Sequence, residues 1–189
     1  IPFRTIPGTH VSRGAFTTRG SSRDEYAIYT EDGDAYKRNV DRLARKFETA
    51  KELVPQPEFI KAGSTETSNE VSKRSRDGMI YFGTSSYAAM EAMEMFEADG
   101  IHLDAMRPRA FPFGKAFSEF VASHERIFVV EQNRDAQFRS LMLIELGTPS
   151  SERIAAATGL TEKLVSVLNY DGTPITADNI YVQIKAAMR

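Results

Sequence analysis

The stretch "RIFVVEQNRDAQFRSLMLIE", Arg126 to Glu145, decides the fold prediction for this chain. Its first part is a run of four apolar residues, Ile127 to Val130, typical of a strand buried on both faces. Charged and amide side chains follow at once, from Glu131 to Arg134, and helical spacing begins after them. A buried strand followed by a helix predicts a βα unit of a parallel sheet. Ligands and partner surfaces gather at the carboxyl ends of such strands, so the polar turn is a candidate functional site.

The composition is that of an ordinary soluble globular protein. The chain has 189 residues, 41% of them hydrophobic and 26% charged, which predicts one domain with or without an extension. The net charge of -2 suggests neither a nucleic-acid nor a membrane partner. The absence of cysteine excludes disulfides, iron–sulfur ligation and thiol nucleophiles from this chain, and agrees with a cytoplasmic location. The start lacks both Met and a signal-peptide pattern, which predicts a piece of a longer protein.

The first half of the chain predicts an arm, a long helix and a loop. Residues 1–31 contain several glycines and no clear period, so we expect a connector arm from a preceding domain. One apolar face of a helix follows, and Pro55 ends it; the face comprises Tyr36, Val40, Leu43, Phe47, Ala50 and Val54. The chain then turns polar, and we expect a flexible loop at about 60–78. We interpret its basic residues as a solvated surface rather than a nucleic-acid site.

The second half alternates between strand and helix patterns. The strand patterns are "MIYFGT", "IHLDAMRPRAF", the stretch after Arg126 and "LVSVL". Between and after them come a helix capped by Ser85 or Ser86, the helix "GKAFSEFVASHE", a turn of helix near Ala155, and a last helix capped by Thr176. We predict an α/β fold over residues 32–189: a mostly parallel sheet with helices on both faces and the long helix packed on it.

Several kinds of catalytic site are excluded by missing motifs. The sequence has no Gly-x-Gly-x-x-Gly after a strand, no Walker lysine motif and no Gly-x-Ser-x-Gly elbow. Its three histidines are scattered singly, which argues against catalytic zinc, and we interpret His124 as helix-terminal or on the surface. The run Thr84 to Ser86 suits either a phosphate or a plain helix cap, and the cap is favoured.

Three polar clusters remain as candidates. The first is Arg19 to Glu25, "RGSSRDE", and the second is Arg107 with Arg109, whose spacing in an extended chain places both guanidiniums on one side. The third consists of Glu131, Gln132, Asn133 and Arg134. None of them contains a nucleophile with a positioned base. We therefore expect the second and third clusters to dock another domain or subunit through hydrogen-bonded ion pairs.

These motifs also carry a family resemblance. "FTTRGSSRDEYAIYTEDGDAYKRNVDRLARKFETAKELVPQP", "IYFGTS", "RAFPFG", "IFVVEQNRDAQFRSL" and "KLVSVLNYDGTPIT", in this order, resemble the C-terminal part of the α subunit of 2-oxoacid:ferredoxin oxidoreductases. The likeness is strongest to the 2-oxoglutarate branch. It implies a domain like the C-terminal domain of transketolase.

The resemblance implies an activity for the whole enzyme. Such enzymes oxidatively decarboxylate a 2-oxoacid to an acyl-CoA with thiamine diphosphate, Mg²⁺ and coenzyme A, and pass electrons through an iron–sulfur cluster to ferredoxin. The implied partners are upstream domains of the same chain, a β subunit that binds the diphosphate, and ferredoxin. The thiamine fingerprint is absent from this chain, so we expect no cofactor, metal or catalytic residue in it, and no nucleic-acid or membrane partner.

The resemblance also makes the first cluster a substrate-proximal candidate, comprising Arg19, Arg23, Asp24 and Glu25. This chain has Arg23 where many relatives have His, and Ala27 where Gly is frequent, which weakens any transfer of substrate choice. Two alternatives stay open: the C-terminal domain of another thiamine diphosphate enzyme, and a non-enzymatic α/β binding module.

Overall fold

The computed structural model of the protein describes residues 6, 8–14, 22–64, 66–68, 75–147 and 159–189. The chain divides into two compact units, Ile1–Ala50 and Lys51–Arg189. The expected connector arm over residues 1–31 and the domain over 32–189 stay predictions.

The first unit contains a short hairpin and the start of the long helix. Strands β1 (Ser22–Arg23) and β2 (Tyr29–Thr30) pair antiparallel. Helix α1 then runs over Gly33–Leu53, and the Asp32 carboxylate accepts hydrogen bonds from the backbone N–H groups of Asp34 and Ala35. The helix confirms the sequence pattern. The large apolar side chains of its predicted face are each about half exposed: Tyr36, Val40, Leu43 and Phe47.

The second unit is built on a six-stranded sheet. The strands are β3 (Glu58–Ile60), β4 (Thr67–Ser68), β5 (Asp77–Tyr81), β6 (Leu103–Arg107), β7 (Arg126–Glu131) and β8 (Leu164–Leu168), in the order β4-β3-β6-β5-β7-β8. The four strands β6, β5, β7 and β8 are parallel, whereas β3 and β4 pair antiparallel at one edge. The predicted α/β class with a mostly parallel sheet is confirmed.

Helices cover both faces of this sheet, as predicted. They are α2 (Ser86–Ala98), α3 (Lys115–Ser123), α4 (Gln137–Gly147), α5 (Leu160–Lys163) and α6 (Ala177–Ala187). Phe128 and Val130 point to the face covered by α2 and α6. Their neighbours Ile127 and Val129 point to the opposite face, against α3 and α4. This alternation is why the four-residue apolar run is buried on both sides.

The edge strands β3 and β4 are the main departure from the predicted elements. Thr67 and Ser68 pair with Ile60 and Phe59, inside the segment expected to be a flexible loop. Strands of two and three residues are too short to show a hydrophobic period. They form because their backbones pair with neighbouring strands, and the local composition does not reveal that pairing. Residues 65 and 69–74 of that segment lie outside the described residues, as does the helical turn expected near Ala155.

Among the described residues, no helix combines the length and the apolarity that a bilayer span requires.

Candidate functional site

The carboxyl ends of the parallel strands bring two predicted clusters to one edge of the sheet. Strand β6 ends at Arg107 and strand β7 at Glu131, and both run parallel to β5, which lies between them. The two clusters therefore face the same way, as the sequence predicted.

The topological switch point of the sheet lies at this edge. Helix α2 leaves the end of β5 for one face of the sheet, and α4 leaves the end of the neighbouring β7 for the other. In open α/β sheets, the crevice between two such strands is the usual ligand position. The groups that occupy it decide what this domain can do there.

The side chain of Gln132 spans the switch point. Its Nε2 donates to Thr84 Oγ1 at 3.0 Å and to Ser85 Oγ at 3.2 Å. Its Oε1 accepts a hydrogen bond from the backbone N–H of Ile175 at 3.1 Å. One amide thus ties the end of β7 to the start of α2 and to the segment before α6, so its hydrogen-bonding groups are engaged within the chain.

Glu131 lies inside the domain, which differs from the expected docking position. The residue is fully buried. Its carboxylate accepts the backbone N–H groups of Phe138 at 2.7 Å and Arg139 at 3.0 Å, and the side-chain amide of Asn133 at 2.9 Å. Asn133 Oδ1 accepts the N–H of Gln137 at 3.1 Å. These two side chains therefore satisfy the first three N–H groups of α4, which have no partner within the helix.

The charge of Glu131 suits this position, because the N-terminus of a helix carries a partial positive charge. The last residue of β7 and the two residues after it, "EQN", thus supply the cap of the next helix and a bridge across the crevice. The last member of the cluster, Arg134, differs from the others: its guanidinium is exposed and pairs with Asp135 at 2.7 Å.

Arg107 and Arg109 converge on one carboxylate. Their guanidiniums lie 3.2 and 3.4 Å from the two oxygens of Glu58, on the neighbouring strand β3. The spacing therefore places both on one side, as predicted. Their side chains remain 39% and 48% exposed, so both keep surface available to a partner. Burial raises the pKa of the nearby Tyr81 to about 12, despite an opposing effect of the Arg107 charge.

The first cluster lies in the hairpin of the first unit, and Arg19 lies outside the described residues. Asp24 builds the turn: its Oδ1 accepts the N–H groups of Tyr26 at 2.9 Å and Ile28 at 2.8 Å. Ala27, in that turn, has a φ of 65°, a conformation that favours glycine. The Arg23 guanidinium lies 5.6 Å from the centre of the Tyr29 ring, and Arg23 and Glu25 are both exposed.

The segment from Thr84 to Ser86 does not act as the expected side-chain cap. Ser85 precedes the first residue of α2 but makes no side-chain capping bond. The chain enters the helix through a 3₁₀ turn, and Ser86 Oγ donates back to the carbonyl of Gly83 at 2.7 Å. By contrast, Thr176 caps α6 as predicted, because its hydroxyl accepts the N–H of Asn179.

The sequence did not predict a buried hydrogen-bonded pair at the opposite edge of the sheet. His124 Nε2 lies 3.1 Å from Asp104 Oδ2, and both side chains are almost fully buried. Asp104 also accepts the backbone N–H groups of Ala62 and Ser75, each at 2.8 Å. His124 ends α3, as predicted, but it is not on the surface. One signal in the sequence points to this role: Asp104 is a charged residue between the apolar residues of a strand that is buried over most of its length.

The donor groups of the chain bear on which metals and phosphates it could hold. The sequence has no cysteine to ligate an iron–sulfur cluster. Within the described ranges, no three His, Asp or Glu side chains are grouped so that they could hold a metal ion. The N-terminus of α4, where a phosphate would find free N–H groups, already holds the Glu131 carboxylate.

Comparison with solved structures identifies the fold. The 2-oxoglutarate:ferredoxin oxidoreductase from Magnetococcus marinus, solved with 2-oxoglutarate, coenzyme A and succinyl-CoA bound, matches 97% of this chain with a TM-score of 0.66 and 19% identity. This chain spans only 28% of that one. The likeness shows that the chain shares its fold with part of that enzyme, and at this identity it shows the fold alone.

Two further structures match more distantly. A split-gene transketolase, an inactive β4 tetramer, gives a TM-score of 0.45 and 17% identity over 59% of this chain and 38% of its own. The alpha chain of a probable 2-oxoacid ferredoxin oxidoreductase from Thermoplasma acidophilum gives 0.39 and 18% over 70% of this chain and 97% of its own. No protein-family model matches the sequence. No curated protein matches it significantly either.

Proposed function

We propose that this chain is the C-terminal, transketolase-like domain of the α subunit of a thiamine-dependent 2-oxoacid:ferredoxin oxidoreductase, with 2-oxoglutarate as the substrate. The observation that carries the proposal is the fold likeness, over 97% of the chain, to part of a 2-oxoglutarate:ferredoxin oxidoreductase. The family motifs of the sequence point to the same enzyme class independently. The reaction is oxidative decarboxylation to an acyl-CoA, with electrons passed to ferredoxin.

The role of this domain in the enzyme is structural and docking. At the switch point, Gln132 and Glu131 direct their polar groups to the domain's own backbone and hydroxyl groups. Such groups position elements of the fold, because their hydrogen-bonding atoms are engaged within the domain. Arg107, Arg109 and Arg134 keep exposed guanidiniums at the same edge, where they suit carboxylates of another domain or of the β subunit.

Thiamine diphosphate, Mg²⁺, the iron–sulfur cluster and coenzyme A belong to the other domains and subunits under this proposal. The hairpin with Arg23 and Glu25 is the part of this chain closest to substrate. A guanidinium pairs with a carboxylate through two parallel hydrogen bonds, and 2-oxoglutarate carries two carboxylates.

The test is the activity of the natural complex, isolated through an affinity tag on the full polypeptide that contains this sequence. We expect reduction of ferredoxin that requires 2-oxoglutarate, coenzyme A and thiamine diphosphate together. Faster reduction with pyruvate would contradict the choice of substrate. An intact complex that reduces ferredoxin with no 2-oxoacid at all would contradict the enzyme class.

A further inference from the structure

A cavity of about 360 Å³ lies between helix α2 and the turn that follows β3, within the second unit. Ile60, at the end of β3, lines it from the sheet. Four residues on one face of α2 line it from the helix: Met90, Met93, Glu94 and Glu97. Because β3 runs antiparallel to β6, the cavity lies toward the amino ends of the parallel strands, away from the switch point.

Hydrogen bonds fix the walls of this cavity. Glu97 Oε1 accepts the backbone N–H of Gly63, a further lining residue, at 2.8 Å, which joins the helix to the turn. The N–H of the preceding Ala62 donates to the buried Asp104 at 2.8 Å, which fixes the same turn to β6. The walls are therefore held in place before a ligand binds, as they usually are in small-molecule sites.

One part of the lining is apolar. Ile60 and Met93 are buried, and Met90 is 40% exposed. The thioether sulfur of methionine makes favourable contacts with aromatic rings. An apolar protein cavity of about 150 Å³ holds a benzene molecule. An aromatic ring with a short side chain therefore fits this cavity in both size and chemistry.

The charged part of the lining is acidic. Glu94 is exposed and belongs to none of the ion pairs found among the described residues. Glu97 is half-buried, and its hydrogen bond with His102 Nδ1 lowers the pKa of Glu97, so this carboxylate stays charged. No lysine or arginine is among the described residues that line the cavity. A cation beside the aromatic ring would be attracted by both carboxylates.

We propose that this cavity binds a small organic cation in which a short chain joins an aromatic ring to a protonated amine. The ring packs against Ile60, Met90 and Met93, and the ammonium group lies beside Glu94 and Glu97. An anion of the same shape is disfavoured, because the same two carboxylates repel it.

The probes are phenethylammonium, the neutral 3-phenylpropan-1-ol and the anion 3-phenylpropanoate, which have similar shapes and differ in charge. Saturation-transfer-difference NMR measures their binding to the natural complex of the full polypeptide that contains this sequence. We expect phenethylammonium to bind about threefold more tightly than the alcohol, which is the size of effect that a partly exposed charge pair gives. The anion should bind most weakly.

Two variants locate the binding in this cavity. Glu94→Gln should lower the affinity for phenethylammonium about twofold to threefold and leave the affinity for the alcohol unchanged. Met90→Trp should fill the cavity and abolish the binding of phenethylammonium there. The matched control is Glu91→Gln, which removes the same charge from an exposed position of α2 outside the lining and should change neither affinity. Circular dichroism confirms that each variant keeps its helices.

The proposal fails if phenethylammonium does not bind, if it binds no more tightly than 3-phenylpropanoate, or if Met90→Trp binds it as the wild type does. It fails too if Glu91→Gln lowers the affinity as much as Glu94→Gln does. The net charge of the helix, rather than the cavity, would then attract the cation.

Discussion

Replacing Glu131 with Ala is expected to destabilise the second unit strongly. The change removes a buried carboxylate that accepts two backbone N–H groups of α4 and the side-chain amide of Asn133. A buried donor left without a partner costs about 1 to 3 kcal/mol, and hydrogen bonds to a charged group lie at the upper end of that range. Allowing for water that enters beside the half-buried Asn133, we expect a loss of about 3 to 5 kcal/mol.

Two companion variants separate the hydrogen bonds from the charge. Glu131→Gln keeps the shape and one acceptor oxygen, but it turns an NH₂ group toward backbone donors, so a loss of about 1 to 3 kcal/mol is expected. Arg134→Ala removes an exposed charge three residues along the same turn. Its loss should be within about 0.5 kcal/mol, because exposed ion pairs contribute little to folding.

Urea unfolding followed by circular dichroism measures all three changes. The transition midpoint should fall in the order Glu131→Ala, then Glu131→Gln, with Arg134→Ala near the wild type. A cost below about 1 kcal/mol for Glu131→Ala, or one equal to that of Arg134→Ala, would refute the assignment of Glu131 as the internal cap of α4.

Three further predictions concern other parts of the chain. Asp104→Asn removes the buried carboxylate that contacts His124 and accepts the N–H of Ala62, and it should cost about 3 kcal/mol in urea unfolding. Amide exchange at Ala62 should become faster, and unchanged exchange there would contradict the role of Asp104 in holding that backbone. Because burial raises the pKa of Tyr81 from 10.0 to about 12, the neutral phenol stabilises the folded protein below about pH 10. This stabilisation, about 3 kcal/mol, should be lost as the pH rises from about 10 to 12. Tyr81→Phe should remove that alkaline loss, and a persisting loss would assign it elsewhere. In the complete enzyme, Arg23→Ala should lower kcat/KM more for 2-oxoglutarate than for pyruvate; equal losses would leave Arg23 a structural residue.

Local signals in the sequence predicted much of the fold. The apolar run "LVSVL" forms β8 over Leu164–Leu168, and Thr176 caps the helix that follows. Apolar runs and capping side chains act within a few residues of the chain, so sequence reasoning reaches them directly. The edge strands were not predicted because β3 gains its order from pairing with the distant β6, and β4 gains its order from pairing with β3.

The candidate site was less predictable because its contacts are longer in range. Glu131 looks like a surface charge in the sequence, and only the return of α4 over the end of β7 brings backbone donors to it. The periodicity of α1 predicted a helix correctly, but periodicity does not say what covers an apolar face. Asp104 and His124 are far apart along the chain and meet only because β6 and the end of α3 lie near each other.

The central claim is that the edge of the sheet with Arg109 docks another subunit. The most direct test measures the specific activity of the complete enzyme against the concentration of added chain, for the wild type and for Arg109→Ala. Arg109 is 48% exposed and pairs only with the partly exposed Glu58 among the ion pairs described for it, so the fold should tolerate the change. The loss of a pair between Arg109 and the β subunit costs about 2 to 5 kcal/mol of binding, or a factor of about thirty or more in affinity. The account predicts that half-maximal activity shifts to about thirtyfold higher concentration or beyond, while the plateau stays within about twofold of the wild type. A lowered plateau with unchanged half-maximal concentration would place chemistry at this edge and contradict the docking role.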